Sequence, residues 1–292
     1  MIEFMTQPLL FTPLPIRGRT LKNRVVVAPM HQYSAIKGFA TDWHIMNAGR
    51  YAAGGAGLVI VESTKIERRG CGTVGDLGLW DDAFVPQLAR IVDLLHQFLS
   101  PLANQRSDEY GGSQTNRMRF ACEVVKCVRA NWPEEKPLFL RLSAEDDAGW
   151  GPAQSVELAK LVKPLGVDVI DCSSGGILDR PPAGAAKPAY GYQVPYADQI
   201  RRQAGTMTMA VGLIVHAEQA ERILQQGQAD LVALAREMLY NPNWAMDAAQ
   251  KLGLDPGFAL LPPPYQYWLA RRAATVPEVL PSTFATRPAT HN

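Results

Sequence analysis

The sequence predicts an α/β fold built on a parallel sheet. Two observations carry that expectation. Short apolar, β-branched runs alternate with segments of helical period. The runs are near-continuously apolar, as in strands covered on both faces, rather than alternating apolar with polar. Periodicity alone leaves a barrel and an open sheet equally compatible.

In chain order, the strand candidates are Arg24–Ala28, Gly57–Glu62, Leu138–Leu142, Val167–Asp171, Thr208–Val211 and Asp230–Leu234. Helices fill the intervals. Asp82–Leu95 carries Phe84, Val85, Leu88, Ile91, Val92 and Leu95 on one face. Arg117–Ala130 does the same with Met118, Ala121, Cys122, Val125 and Val128. Pro152–Val162 and Ala217–Gln226 follow, the latter stopped by Gly227. From Ala273 to Asn292 the chain is rich in Pro, Thr and Ala and is expected to be a mobile arm. The expected organisation is one domain over 1–272 and a tail over 273–292.

Composition removes several function classes. A net charge of +1 gives no electrostatic reason to bind nucleic acid or an anionic membrane. No run approaches the ~20 apolar residues of a membrane span, and the N-terminus lacks the basic and apolar regions of a secretory signal. Cys71, Cys122, Cys127 and Cys172 form no C-x-x-C pair and no zinc spacing. Reduced thiols in a cytoplasmic enzyme with no metal are expected.

Five motifs then narrow the reading. The polar stretch His96-Gln-Phe-Leu-Ser-Pro-Leu-Ala-Asn-Gln-Arg-Ser-Asp-Glu-Tyr-Gly-Gly-Ser113 is followed by Asn116 and Arg117 and opens an amphipathic helix capped by Ser113. Leu21-Lys-Asn-Arg-Val-Val-Val-Ala-Pro-Met30 leads into His31-Gln-Tyr33. Gly57-Leu-Val-Ile-Val-Glu-Ser63 is a third. Leu138-Phe-Leu-Arg141-Leu-Ser143 buries a guanidinium in an apolar strand, which costs several kcal/mol unless it is paired. The last is the pair Ala210-Val-Gly212-Leu and Leu234-Ala235-Arg236-Glu.

In this order the motifs resemble the Old Yellow Enzyme family of flavin oxidoreductases, in its bacterial xenobiotic-reductase-like subgroup. The resemblance implies a (β/α)8 TIM-barrel-type fold, with FMN bound at the C-terminal ends of the strands. Pro29, Met30 and His31 match the end of the first strand, beside the flavin ring. His31 stands where the subgroup often has a cysteine. Tyr33 matches a tyrosine on the substrate side. Ser63 matches a small residue against the flavin after the second strand. Arg141 matches a fifth-strand arginine at the pyrimidine edge; the bare residues equally allow an internal salt bridge to Asp171. Gly212, Ala235 and Arg236 match the phosphate site of strands seven and eight, with Ala235 where the family usually has glycine. Gly191-Tyr-Gln-Val194 resembles a loop near the substrate mouth. Pro262 to Arg271 resembles a tail that, in relatives, carries an arginine to a neighbouring subunit.

The resemblance also has a gap. The helix ending near Leu95 runs directly into His96, a position that in relatives lies after the fourth strand. The third and fourth strand units, roughly 60–80 residues, have no counterpart, so about six parallel strands are expected, as a smaller closed barrel or an open one. The missing units would supply a flavin-contacting glutamine, the His/His or His/Asn pair that polarises a substrate carbonyl, and a proton-donating tyrosine. No catalytic residue is therefore assigned. The implied activity is hydride transfer from NADPH or NADH to FMN and on to an electrophilic alkene such as an α,β-unsaturated carbonyl compound. The alternative is a catalytically impaired or non-enzymatic truncated relative. A homodimer or homotetramer is compatible with both. A phosphate-binding aldolase is a third reading, but none of the six strand candidates ends in a Schiff-base lysine.

Overall fold

The computed structural model describes residues 7–65, 67–80, 98–175, 188–254, 257–278 and 283. The predicted helix Asp82–Leu95, the Leu95–His96 junction and most of the tail lie outside the described residues.

The N-terminal stretch is fastened by a buried acid. Glu221, 0% exposed, accepts the backbone N–H groups of Leu9 and Leu10, each at 2.8 Å. A short hairpin follows, β1 (Leu14–Ile16) against β2 (Arg19–Leu21), turning through Arg17 and Gly18. The central sheet has six strands: β3 (Val25–Val27), β4 (Leu58–Val59), β7 (Phe139–Ser143), β8 (Val169–Ser173), β9 (Met207–Ala210) and β10 (Leu231–Leu234). Every pairing in it is parallel, and the order is β4-β3-β10-β9-β8-β7. In the barrel numbering of the resemblance this is 2-1-8-7-6-5. The sheet is an open half-barrel, and its two edges, β4 and β7, are the strands between which the third and fourth would lie. A separate parallel pair, β5 (Thr64–Lys65) and β6 (Leu77–Gly78), follows β4.

The six sheet strands fall where the sequence predicts them, with two instructive differences. β8 begins at Val169, two residues later than expected. Asp168 is engaged elsewhere, accepting from Arg17 at 2.7 Å and from the Leu138 N–H at 2.7 Å, so the ladder starts after it. β4 is only two residues long because it pairs on one side alone. The Ile60 N–H still reaches Val27 O at 3.0 Å.

Eight helices are described: α1 (Asp42–Ala53), α2 (Gln114–Asn131), α3 (Pro152–Val162), α4 (Val194–Ala204), α5 (Ala217–Gln225), α6 (Arg236–Tyr240), α7 (Trp244–Lys251) and α8 (Pro263–Thr275). Ser113 caps α2, its hydroxyl accepting the Asn116 N–H at 3.2 Å. Met118, Ala121 and Val125 of α2 are buried, the stripe the sequence predicts. α3 matches its predicted bounds, opening with Pro152 in the first turn, where a missing N–H costs nothing. α5 ends ahead of Gly227, whose φ of +64° needs no Cβ. The polar loop before α2 is pinned by Asn104, which donates to Phe98 O at 2.8 Å and Tyr110 O at 2.7 Å. Leu99 enters the main core at 1% exposure.

Side-chain alternation splits the apolar interior in two. Val25, Val27, Ile170, Cys172, Ala210, Val232 and Leu234 join the helices in one large cluster. Val26, Ala28, Ile60, Val169, Met209, Val211, Leu231 and Ala233 form a smaller one on the concave face, with Leu14 and Ile16. Among the described residues no helix is long and apolar enough to cross a membrane.

Candidate active site

Because the six strands are parallel, their C-terminal ends share one edge of the sheet. That edge collects the stretches the sequence singles out: Pro29 to Tyr33 after β3, Ser63 after β4, Gly212 after β9, and Ala235 and Arg236 after β10. The Ala28 N–H donates to Leu234 O at 2.9 Å, which ties the ends of β3 and β10 together.

Arg141 lies on the concave face. Phe139, two residues earlier on β7, packs on the concave cluster, and the register sets Arg141 opposite Asp171. Its Nη1 donates to Asp171 Oδ2 at 2.6 Å and its Nη2 to Ser173 Oγ at 3.1 Å. The Asp171 side chain is 2% exposed and that of Arg141 25%. The ion pair that the bare residues allow is therefore formed, and it satisfies the guanidinium's need for a partner.

The ends of β8 and β9 are locked by a residue the sequence reading names only as part of a loop. Gln193, 4% exposed, donates from Nε2 to Ser174 Oγ at 2.7 Å. Its side chain lies so close to Gly212 that a Cβ there would sit 2.7 Å from Oε1; Gly212 also has φ +100°. The Gly191 N–H donates to Gly212 O at 2.9 Å, so the Gly191–Val194 loop does reach the rim. Among the described residues no acceptor takes the N–H of Gly212, Leu213 or Ala235. Arg236 is exposed and has no side-chain partner among them.

On the other flank, the His31 ring stacks on Tyr33 with centroids 5.4 Å apart. Tyr33 is 61% exposed and held at φ +52°. Ser63 Oγ accepts from Lys65 Nζ at 3.3 Å. Behind them lies Glu62, 3% exposed, which the sequence reading passed over. Its Oε2 accepts the Gln32 N–H at 3.0 Å and lies 3.7 Å from His31 Nδ1. That carboxylate raises the His31 pKa above its ordinary value, against the lowering effect of burial. The signal that flags Arg141, a charge inside an apolar strand, was present in Glu62 as well. His44, from α1, approaches the same carboxylate at 3.1 Å.

Fold and rim together define a (β/α)-barrel protein with a cationic rim. Comparison with known proteins makes this specific. The model of the NADH:flavin oxidoreductase / NADH oxidase family matches residues 9–96 and 93–255, two stretches that meet at the Leu95–His96 junction. The NADPH dehydrogenase of Listeria monocytogenes serotype 4a (strain HCC23) is 35% identical over 328 aligned positions, covering 84% of this chain and 95% of that protein. The NADPH dehydrogenase of Bacillus subtilis (strain 168) is 33% identical, covering 88% and 98%. Since 84% of 292 residues is about 245, the 328-position Listeria alignment holds roughly 80 positions with no residue of this chain opposite them. Among solved structures, the old yellow enzyme homologue from Zymomonas mobilis superposes with a TM-score of 0.66 at 20% identity, covering 84% of this chain and 93% of that one. Morphinone reductase in complex with tetrahydroNAD does so at 0.66 and 21%, covering 89% and 94%.

The chain belongs to the NADH:flavin oxidoreductase / NADH oxidase family. It is an FMN-dependent NAD(P)H oxidoreductase of the Old Yellow Enzyme type, with two barrel units fewer than its relatives.

Proposed function

We propose that the rim holds FMN between two flanks and that hydride from a reduced nicotinamide is delivered to the β-carbon of an electron-poor alkene conjugated to a carbonyl. When bound, FMN supplies the two-electron hydride chemistry. The observation that supports this most is the convergence of Met30, Ser63, Gly212 and Arg236 on one edge of one parallel sheet, with Arg141 on its concave face.

The phosphate end falls to β9 and β10. Free N–H groups at Gly212, Leu213 and Ala235 and the unpaired Arg236 guanidinium suit an anionic group. The absence of a Cβ at Gly212 lets the Gln193 side chain pack against the backbone beneath those N–H groups. The ring end falls to Pro29, Met30, His31 and Ser63. Arg141 provides a fixed cation where negative charge develops on reduction, and Asp171 offsets part of it. Tyr33, exposed beside His31, stands on the substrate side.

The second reading, an impaired relative, is supported by the open gap between β4 and β7. The groups that polarise a carbonyl belong to the units the chain lacks, and removing one such donor typically costs about 10²–10³ in rate. One experiment separates the readings. A purified protein that carries stoichiometric FMN, bleaches anaerobically with NADPH and then reoxidises with an enone supports turnover. Bleaching without enone reoxidation favours the impaired form. A colourless protein that takes up no added FMN overturns both the site and its assignments.

A further inference from the structure

The proposed reaction needs a proton as well as a hydride. Hydride addition at the β-carbon of a conjugated carbonyl compound leaves an electron pair at the α-carbon, and that pair must be protonated. A side chain serves this role best when its pKa lies near the operating pH.

Among the described residues, most acids at the rim are poorly suited. Arg141 and Arg236 hold their protons too tightly. The Tyr196 hydroxyl, at the β7–β8 end, donates to Glu145 Oε2, and burial and that carboxylate push its pKa up. His216 is exposed, edge-on to Tyr190, with no carboxylate partner. Tyr33 is 61% exposed, and no hydrogen bond orients its hydroxyl.

His31 differs in being held. Three groups converge on the Glu62 carboxylate, whose side chain is 1% exposed. Oε2 accepts the Gln32 N–H at 3.0 Å. Oε1 lies 3.1 Å from His44 Nε2, the nitrogen that carries the hydrogen because Nδ1 accepts the Thr41 N–H at 2.9 Å. The third group is His31, whose Nδ1 lies 3.7 Å from Oε2. The carboxylate is thus fixed from two sides before it meets the imidazole. His31 Nδ1 is buried against it, while the side chain as a whole is 31% exposed, so Nε2 is the accessible nitrogen. The ring plane stacks on Tyr33. The charged groups facing the ring are Glu62, Lys65 and Asp76. Glu62 has the largest influence and Asp76 supports it in favouring the imidazolium; Lys65 and burial oppose them, and the carboxylates prevail.

We propose that His31 is the proton donor of the alkene reduction and Glu62 its positioning residue, an inference that rests on the proposed function. As hydride reaches the β-carbon, the electron pair left at the α-carbon takes the proton from Nε2. A C–H bond forms, an N–H bond breaks, and the imidazolium becomes neutral imidazole. Water at the open rim returns the proton. The alkene is reduced and the nicotinamide that supplied the hydride is oxidised.

The test follows bleaching by NADPH and reoxidation by 2-cyclohexenone separately, by anaerobic stopped flow across pH. Proton NMR titration of His31 in the protein without FMN runs beside it. His31 should titrate above 6.5 in the NMR experiment, and Glu62→Gln should lower its pKa. Reoxidation should be fast below the His31 pKa and fall above it. His31→Gln should slow reoxidation about 10²-fold, at least about tenfold more than it slows bleaching, and remove the pH break. Tyr33→Phe should retain the break, and Glu62→Gln should move it to lower pH. Should Glu62→Gln fail to fold, the more exposed His31→Gln decides alone. A His31 pKa at or below 6.5, equal slowing of both half-reactions, or a pH break that survives in His31→Gln would overturn the proposal and leave the flavin site standing. So would bleaching with no reoxidation by the enone. A colourless protein that takes up no FMN would remove the flavin reading and this role together.

Discussion

Asp171→Asn tests the ion pair and the flavin assignment together. The substitution keeps the volume and removes the charge opposite Arg141. Stripping one partner from a buried pair typically costs about 3–5 kcal/mol. Here the cost should be smaller. A quarter of the Arg141 side chain reaches water, Ser173 Oγ still accepts from Nη2 at 3.1 Å, and asparagine still offers a carbonyl oxygen. About 2 kcal/mol remains, which for a chain near this size is a fall in Tm of roughly 4–8 °C. Arg141→Leu should cost more, about 3–5 kcal/mol, because it removes the cation beside a carboxylate that is only 2% exposed. The double variant should recover part of both losses, a coupling of about 0.5–3 kcal/mol.

The same variant has an opposite effect on the flavin. With Asp171 neutral, the positive field of Arg141 is no longer offset, so reduction, which adds negative charge, becomes easier. Urea unfolding without cofactor should show the loss of stability. Dye-equilibrated reduction of the FMN-loaded variant should show a more positive midpoint potential. Unchanged stability would mean that the pair contributes nothing. An unchanged or more negative potential would refute the placement of Arg141 beside the flavin.

Three further outcomes follow from the geometry. Glu221→Gln leaves the Leu9 and Leu10 N–H groups one good acceptor instead of two charged ones, and should lower stability by about 1.5–3 kcal/mol in urea melts. Gly212→Ala forces a Cβ to 2.7 Å from Gln193 Oε1 at a φ of +100°, and should cost about 1–3 kcal/mol in thermal melts and reduce flavin content. Glu62 raises the His31 pKa above the ordinary value of 6.5, so the protonated ring stabilises the fold. That contribution is complete below the unfolded value and is lost as pH rises through the higher folded value. Urea midpoints should therefore fall across that window, and His31→Gln should flatten the slope.

What the sequence revealed, and what it concealed, depends on range. α3 was legible because proline, period and length agree within eleven residues. α1 was not, because its apolar residues do not form a buried stripe: Ile45 is 74% exposed and Trp43 45%. α8 was read only as a stretch resembling the tail of relatives, although proline in a first turn is compatible with a helix. A buried Arg141 demands a partner, so Asp171 was nameable as a candidate. Only the parallel register of β7 on β8 brings the two together, across 30 positions of sequence. The Gln193–Gly212 contact has no local signature at all. It is a side chain of one loop pressed on the backbone of another, and only the sheet order makes them neighbours.

The position of the opening bears on which half of the chemistry survives. In the order β4-β3-β10-β9-β8-β7, the strands proposed to hold phosphate, β9 and β10, are central and paired on both sides. Arg141 lies on an edge strand, but its partners Asp171 and Ser173 come from the neighbour on the paired side, so its geometry does not depend on the absent strand. The flank that is lost is the one that polarises the substrate carbonyl in the proposed reaction. Gripping a flavin and favouring its reduction need a phosphate cradle and a fixed cation, both built from the continuous part of the sheet. Reducing an alkene needs donors aimed at a carbonyl oxygen and a proton source, both belonging to the gap. In the proposed reaction the two half-reactions would rest on different strands, with the break between β4 and β7 falling between them.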